Sequence, residues 1–277
     1  GSIMELADKQ WAVDNAPDFR VSTPEQLASV VYYVNGVNKD DASVSVTLED
    51  DIDLKGYDWE PMGWYNASNH AFSGTVDGKG HTIRGMNIDL GYQNCGFIGY
   101  GLNTYVKDIR FEECYVRGTA CTGIVGGEIY ITQEWSGISL KNCTVEGGSD
   151  DYGTIIGREA ATAFKDCSVE NVTVNGKVNS YFSYRQQTVA ETPVTETFRL
   201  EMKDGYVFTR DEHDGFRNLG WVFERDGVQL LDRLAENETE YDAAWLFSEK
   251  GTYHIYLNAF IGSTYIRVSN LIEVEIK

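Results

Sequence analysis

The sequence predicts an all-β chain in which a parallel β-helix solenoid, opened by a short capping helix, is followed by a small antiparallel β domain. Three observations carry this. Twenty-eight glycines stand against four prolines, with 17 Tyr, 12 Phe and 6 Trp, a composition of strands and tight turns. Short apolar motifs recur at a drifting period in the twenties up to about residue 176. Beyond that point the repeat stops, and evenly spaced strand-and-turn signals replace it.

At roughly 150 residues per domain, 277 residues suggest two domains, placed here at residues 1–187 and 188–277. Hydrophobic residues at 42% and charged residues at 24% exclude wholesale disorder. A formal charge of −20 argues against nucleic acid or an anionic membrane as partner, because phosphate binding needs a basic surface. No run of 18 apolar residues exists, so no membrane insertion is expected. Gly1-Ser2 reads as an expression scar, and no apolar signal segment follows it.

The N-terminal cap comes first. Ser22-Thr23-Pro24-Glu25-Gln26 places a capping hydroxyl before a proline in the first helical turn. Leu27, Val30, Val31 and Val34 mark one helical face, so an amphipathic helix over Pro24–Asn35 should plug the first coil. Val44–Leu48 alternates in polarity and reads as a strand.

Two interleaved motif sets define the coils. Cys95-Gly-Phe-Ile-Gly99, Thr122-Gly-Ile-Val-Gly126 and Tyr152-Gly-Thr-Ile-Ile-Gly157 are glycine-bounded apolar runs, suited to places where a side chain would collide with the neighbouring coil. Ile109-Arg-Phe-Glu-Glu-Cys114-Tyr-Val116, Ile138-Ser-Leu-Lys-Asn-Cys143-Thr-Val145 and Thr162-Ala-Phe-Lys-Asp-Cys167-Ser-Val169 superimpose without gaps. Their period of two marks strands with one buried face, and the polar pair before each cysteine marks a corner. Cys114 to Cys143 is 29 residues and Cys143 to Cys167 is 24, a spacing that predicts a stacked cysteine ladder filling the core. Cys95 and Cys121 complete an odd set of five, which is expected to remain as thiols. The segment Gly127–Gly137 reads as an insertion, and in repeat proteins insertions become loops on one face.

With these motifs in place a resemblance can be stated. Thr23-Pro-Glu-Gln-Leu27, Leu48-Glu-Asp-Asp-Ile-Asp-Leu54, Trp59-Glu-Pro-Met-Gly63 and Phe72-Ser-Gly-Thr-Val-Asp-Gly-Lys-Gly-His-Thr-Ile83 resemble the opening coils of bacterial GLUG-motif surface proteins, and the glycine-bounded runs resemble the GLUG motif. The resemblance covers about residues 20–176. It implies a right-handed β-helix on an exported, surface-attached protein, and no catalytic chemistry.

After the polar, proline-bearing linker Gln186–Glu196, turn signals recur at Asp204-Gly205, Asp226-Gly227 and Lys250-Gly251. Trp221-Val-Phe-Glu-Arg-Asp-Gly227 resembles the central tryptophan strand of an immunoglobulin-like domain, and Glu249-Lys-Gly-Thr-Tyr253 resembles its tyrosine corner. Ile255 stands where antibody domains carry a cysteine, so the resemblance implies a disulfide-free β-sandwich.

Candidate chemistry is sparse. Asp50, Asp51 and Asp53 read as strand-end caps, Asp150-Asp151 as a solvated turn, and Asp77-Gly-Lys-Gly-His81 as a tight turn before a strand. Neither a nucleophile elbow nor a phosphate loop is present. No catalytic residue, metal ligand or cofactor is assigned. Four Asn-x-Ser/Thr sequons, at Asn66, Asn142, Asn171 and Asn237, read as corner asparagines rather than glycan acceptors.

The remaining candidates are aromatic. Trp59 should tuck under Pro61 and close its coil. Trp64 and Tyr65 in one irregular segment, with Tyr130 and Trp135 in the insertion, suit stacking on sugar rings, while Asn66, Asn69 and Glu134 would hydrogen-bond hydroxyls. The expected function is a non-catalytic bacterial cell-surface module, extracellular and monomeric, that binds extracellular glycan or a host surface component. The alternatives are a carbohydrate-active β-helix enzyme, resting on fold analogy, and a structural spacer.

Overall fold

The structure is a computed structural model. It describes all residues except 64–69, 90, 92, 131–133, 149, 161, 180, 185–206, 210–218, 235–239, 243–246, 248, 262–263, 268 and 270. The chain divides into two units, Gly1–Gln187 and Thr188–Lys277.

The first unit is a β-solenoid of about five turns. Its strands pair in parallel with the coil before and the coil after, at separations of 27 to 31 residues: Phe19 lies beside Val46, Val46 beside Val76, and Val76 beside Val106. A second inward column runs Ile52, Ile83, Phe111, Leu140 and Val169. A third runs Ile88, Val116, Val145 and Val174. Nearly all of these side chains are buried, and they form one continuous apolar core. Stacking neighbours one strand spacing apart lets each ring of side chains cover the next.

The corners are made by residues in the left-handed conformation. Glu113, Asn142 and Asn171 have φ of 53°, 53° and 50°, in register with Gly85 at 70°. Asp108, Gly137 and Asp166 form a second such column, at 50°, 63° and 52°. Asn and Asp tolerate this region because their short polar side chains bond locally. The side chains of Asn142 and Asn171 bond to each other across coils, at 2.8 Å, so these two sequon asparagines are corner residues. Asn66 and Asn237 lie outside the described residues.

The two corner columns explain a correction to the expected cysteine ladder. Cys114 follows Glu113 and Cys143 follows Asn142, at the same corner, and both are buried. Val172, not Cys167, pairs with Cys143. Cys167 follows Asp166 at the other corner and is half-buried. Both corners use a polar left-handed residue followed by a small apolar one, so an ungapped alignment slips by one corner. The true step there is 29 residues rather than 24.

The glycine-bounded runs stack as expected. Cys95 bridges Thr122, and the Ile124 and Val125 amides bond to Thr154 and Ile155 of the next coil. A Cβ added at Gly123 would lie 2.8 Å from the Gly126 carbonyl oxygen and 2.9 Å from the Gly157 nitrogen, so only glycine fits there.

The cap is larger than expected. The predicted helix spans Pro24–Tyr32 and continues as a wider helical turn over Tyr33–Val37. The Thr23 hydroxyl accepts from the Gln26 amide, and Leu27, Val30, Val31 and Val34 are fully buried. A second helix, Lys9–Asn15, and a single 3-10 turn, Ile3–Leu6, precede it. The buried Ser29 hydroxyl joins the cap by accepting from Asp8 N–H while donating to the Glu25 carbonyl.

The second unit is antiparallel among its described residues. Leu219–Arg225 pairs with Val228–Leu234 on one side and with Gly251–Ile261 on the other. Asp226 and Gly227, at φ of 50° and 83°, make the tight turn between the first two. The far side of Gly251–Ile261 pairs first with Thr264–Arg267 and then with Ile272–Ile276. A separate pair joins Val207–Thr209 to Glu240–Asp242. Trp221, Phe223, Tyr253, Ile255 and Leu257 are buried, and the Tyr253 hydroxyl donates to the Glu249 carbonyl at 2.8 Å. The linker Gln186–Glu196 and the Asp204-Gly205 turn lie outside the described residues.

Candidate functional site

The sequence-derived site distributes unevenly. Trp64, Tyr65, Asn66 and Asn69 lie outside the described residues. Trp135 is corrected outright: it is fully buried, pairs in register with Phe164 of the next coil, and donates its indole N–H to Thr104 Oγ1 at 3.2 Å. The expected insertion is mostly strand, with Gly126–Tyr130 and the start of Glu134–Glu146 both in the ladder. Strand alternation turns Trp135 into the core and leaves Glu134 and Tyr130 half-buried. Trp59 is also core, stacked on Phe97 at 5.1 Å and 7° and donating to the Phe97 carbonyl. Its stacking partner is therefore Phe97 of the following coil.

What remains is a cluster on three adjacent coils. Tyr100, Glu128 and Arg158 occupy one register column, with Glu128 between the other two. Tyr130 pairs alongside, over Leu102, and its ring meets that of Tyr100 edge-on at 6.1 Å and 70°. The Tyr130 hydroxyl donates to Glu128 Oε1 at 2.5 Å. Burial, with the Glu128 carboxylate next, pushes the Tyr130 phenol up to about 12, so it stays a protonated donor at neutral pH.

Arg158 is the cation of the cluster. Its Nε donates to Asp151, and its Nη1 lies 3.8 Å from Glu128 Oε1. The guanidinium pKa is raised, chiefly by the Asp151 bond. Its side chain is 42% exposed, while those of Glu128 and Asp151 are 10% and 11% exposed. Two sheltered carboxylates thus hold one guanidinium at the surface. Asp151 corrects the expected solvated turn: it sits in the strand Asp150–Tyr152, at a φ of 55°, and is buried. No motif announced Glu128 or Arg158. Their 30-residue separation, equal to the local coil period, was the available signal.

The acidic motifs stay structural. Asp51 Oδ1 accepts the Thr82 amide at 2.9 Å, which holds its carboxyl below the usual range, and lies 3.2 Å from His81 Nδ1. Asp53 accepts the Lys55 amide and Asp77 the Lys79 amide, each closing a turn. Among the described residues no group of three or more His, Cys, Asp or Glu is arranged to hold a metal ion. Among the described residues no helix is long and apolar enough to cross a membrane.

Fold and site together define a β-solenoid with a polar-aromatic cluster on three adjacent coils, and no family model matches the sequence. The chain is similar to halomucin from Haloquadratum walsbyi, at 28% identity over 160 residues. That stretch is 56% of this chain and 2% of halomucin, so the chain spans a small fraction of its relative. No solved structure matches.

Proposed function

We propose that this chain is a non-catalytic module of an extracellular surface protein, binding glycan through one side of its solenoid. The observation that carries the reading is the Tyr100–Tyr130 ring pair standing beside Glu128 and the Asp151-paired Arg158 on adjacent coils. Met62 bridges Ile98, and Phe72 pairs with Gly101. Tyr130 pairs with Leu102. Met62, Phe72 and Tyr130 therefore all adjoin the stretch Ile98–Leu102, and the Tyr100–Tyr130 ring pair lies on it. Aromatic faces beside charge-paired hydrogen-bonding groups suit carbohydrate, which offers an apolar ring face and a rim of hydroxyls.

Similarity to a protein whose name marks it as a mucin supports the surface placement. A GLUG-like solenoid with an immunoglobulin-like second unit belongs to the same reading. The glycine columns support the first part. The buried Trp221 and the Tyr253-to-Glu249 bond support the second.

A glycan array probed with the purified chain tests the proposal. Retention of at least one glycan class is expected, with weak affinity per site that multivalent display raises. An array with no retained glycan rejects the binding role, and turnover of any polysaccharide rejects the non-catalytic class.

A further inference from the structure

We infer that Tyr100, Tyr130, Glu128, Arg158 and Asp151 form a subsite for an uncharged pyranose ring; this rests on the glycan-binding reading and assigns its ligand class. The two tyrosine rings meet at 70°, so one ring's edge abuts the other and the pair presents two walls of an open angle. A pyranose laid against one wall places its apolar C–H face on an aromatic surface, and its equatorial hydroxyls then point along the ring plane. The polar groups within reach are of the right kind to receive them. Glu128 Oε1 already accepts from Tyr130, and a carboxylate has lone pairs for further donors. Arg158 is half-exposed, and its bond to Asp151 through Nε fixes the plane of its remaining N–H groups.

The ligand's charge follows from the same residues. Two carboxylates against one guanidinium leave the cluster formally at −1, within a chain of −20. Arg158 is already neutralised, so it cannot act as a binding cation for a uronate or sulfate, and an anionic sugar meets the residual charge. Pairs held this way are rigid donors and acceptors at low ordering cost, which suits hydroxyl recognition. The alternative of Arg158 as a pure structural strut predicts that a folded Arg158→Lys variant binds the sugar as well as the unaltered chain does.

Saturation-transfer NMR on the whole chain is the test. The probes are methyl β-D-glucopyranoside, methyl β-D-galactopyranoside and methyl α-D-mannopyranoside, set against methyl β-D-glucuronate. At least one neutral glycoside should show transfer, with the glucuronate roughly tenfold weaker at low salt. Tyr100→Ala should weaken the neutral signal at least about tenfold, as loss of an aromatic platform does elsewhere. Tyr130→Phe, which removes one hydroxyl, and Arg158→Lys should each weaken it several-fold, and these two carry the test if Tyr100→Ala fails to fold. Undiminished transfer in the folded variants, or glucuronate binding as well as the neutral sugars, overturns the subsite. Array retention that persists in Tyr100→Ala then leaves the glycan-binding reading standing elsewhere on the chain. Absence of binding both by NMR and on the array rejects the two together.

Discussion

Truncating Trp135 separates a core residue from a sugar platform. The indole is fully buried, lies in register with Phe164, reaches to within 3.1 Å of where a Cβ on Gly126 would sit, and donates to Thr104. A buried tryptophan withdraws roughly 150–250 Å² from water, about 4–6 kcal/mol at 25 cal/mol per Å². That figure is an upper bound because unfolded chains already hide part of their apolar surface. Aromatic-to-alanine truncations in cores cost about 3–5 kcal/mol, and Trp135→Ala is expected within that range. The void would open between coils, so neighbouring rungs should loosen first. Because two units need not unfold together, the measurement is amide hydrogen exchange, read separately over Gly126–Tyr130 and Glu134–Glu146. A loss below about 0.5 kcal/mol, the size of an ordinary surface change, would refute the inward placement. It would also restore Trp135 to the list of residues available to a ligand.

Three further outcomes are expected. Leu27→Ala, in the fully buried face of the capping helix, should cost roughly 2–5 kcal/mol, and a near-neutral result in denaturant melts would mean the cap does not close the first coil. Gly123→Ala forces a methyl against backbone atoms under 3.0 Å away and should destabilise by about 1–3 kcal/mol or more; unchanged exchange protection at Ile124 and Val125 would reject the stacked glycine column. All five cysteines should titrate as thiols in unreduced protein once unfolded, and slowly before that, since four are buried and Cys167 is half-buried, and burial pushes the Cys95 thiol up to about 12. One titratable thiol instead of five would require two bridges.

Much of this architecture is legible in the sequence because it rests on local chemistry. Period-two alternation marks the inward columns, a threonine and proline open the cap, and Asp, Asn and Gly mark the corners because few other residues enter the left-handed region without strain. The glycine runs likewise announce close backbone approach. Which corner a motif occupies is a different matter. Asp166-Cys167 and Asn142-Cys143 look alike locally, and only the hydrogen-bonded register sets Val172 rather than Cys167 on Cys143. The direction of Trp135 is decided in the same way, because one residue of slip in a strand exchanges core for surface. The Arg158 cluster is the clearest case. Its five members come from four strands, Ile98–Glu112, Gly126–Tyr130, Asp150–Tyr152 and Ile156–Glu159, with Glu128 and Tyr130 on one of them and Arg158 30 residues beyond Glu128. Alternation along one strand sets Tyr130 beside Glu128, and the Asp151–Arg158 bond closes within one coil. Stacking one coil on the next, at a spacing of about 4.8 Å, is what brings that guanidinium to Glu128 and the Tyr130 ring to Tyr100.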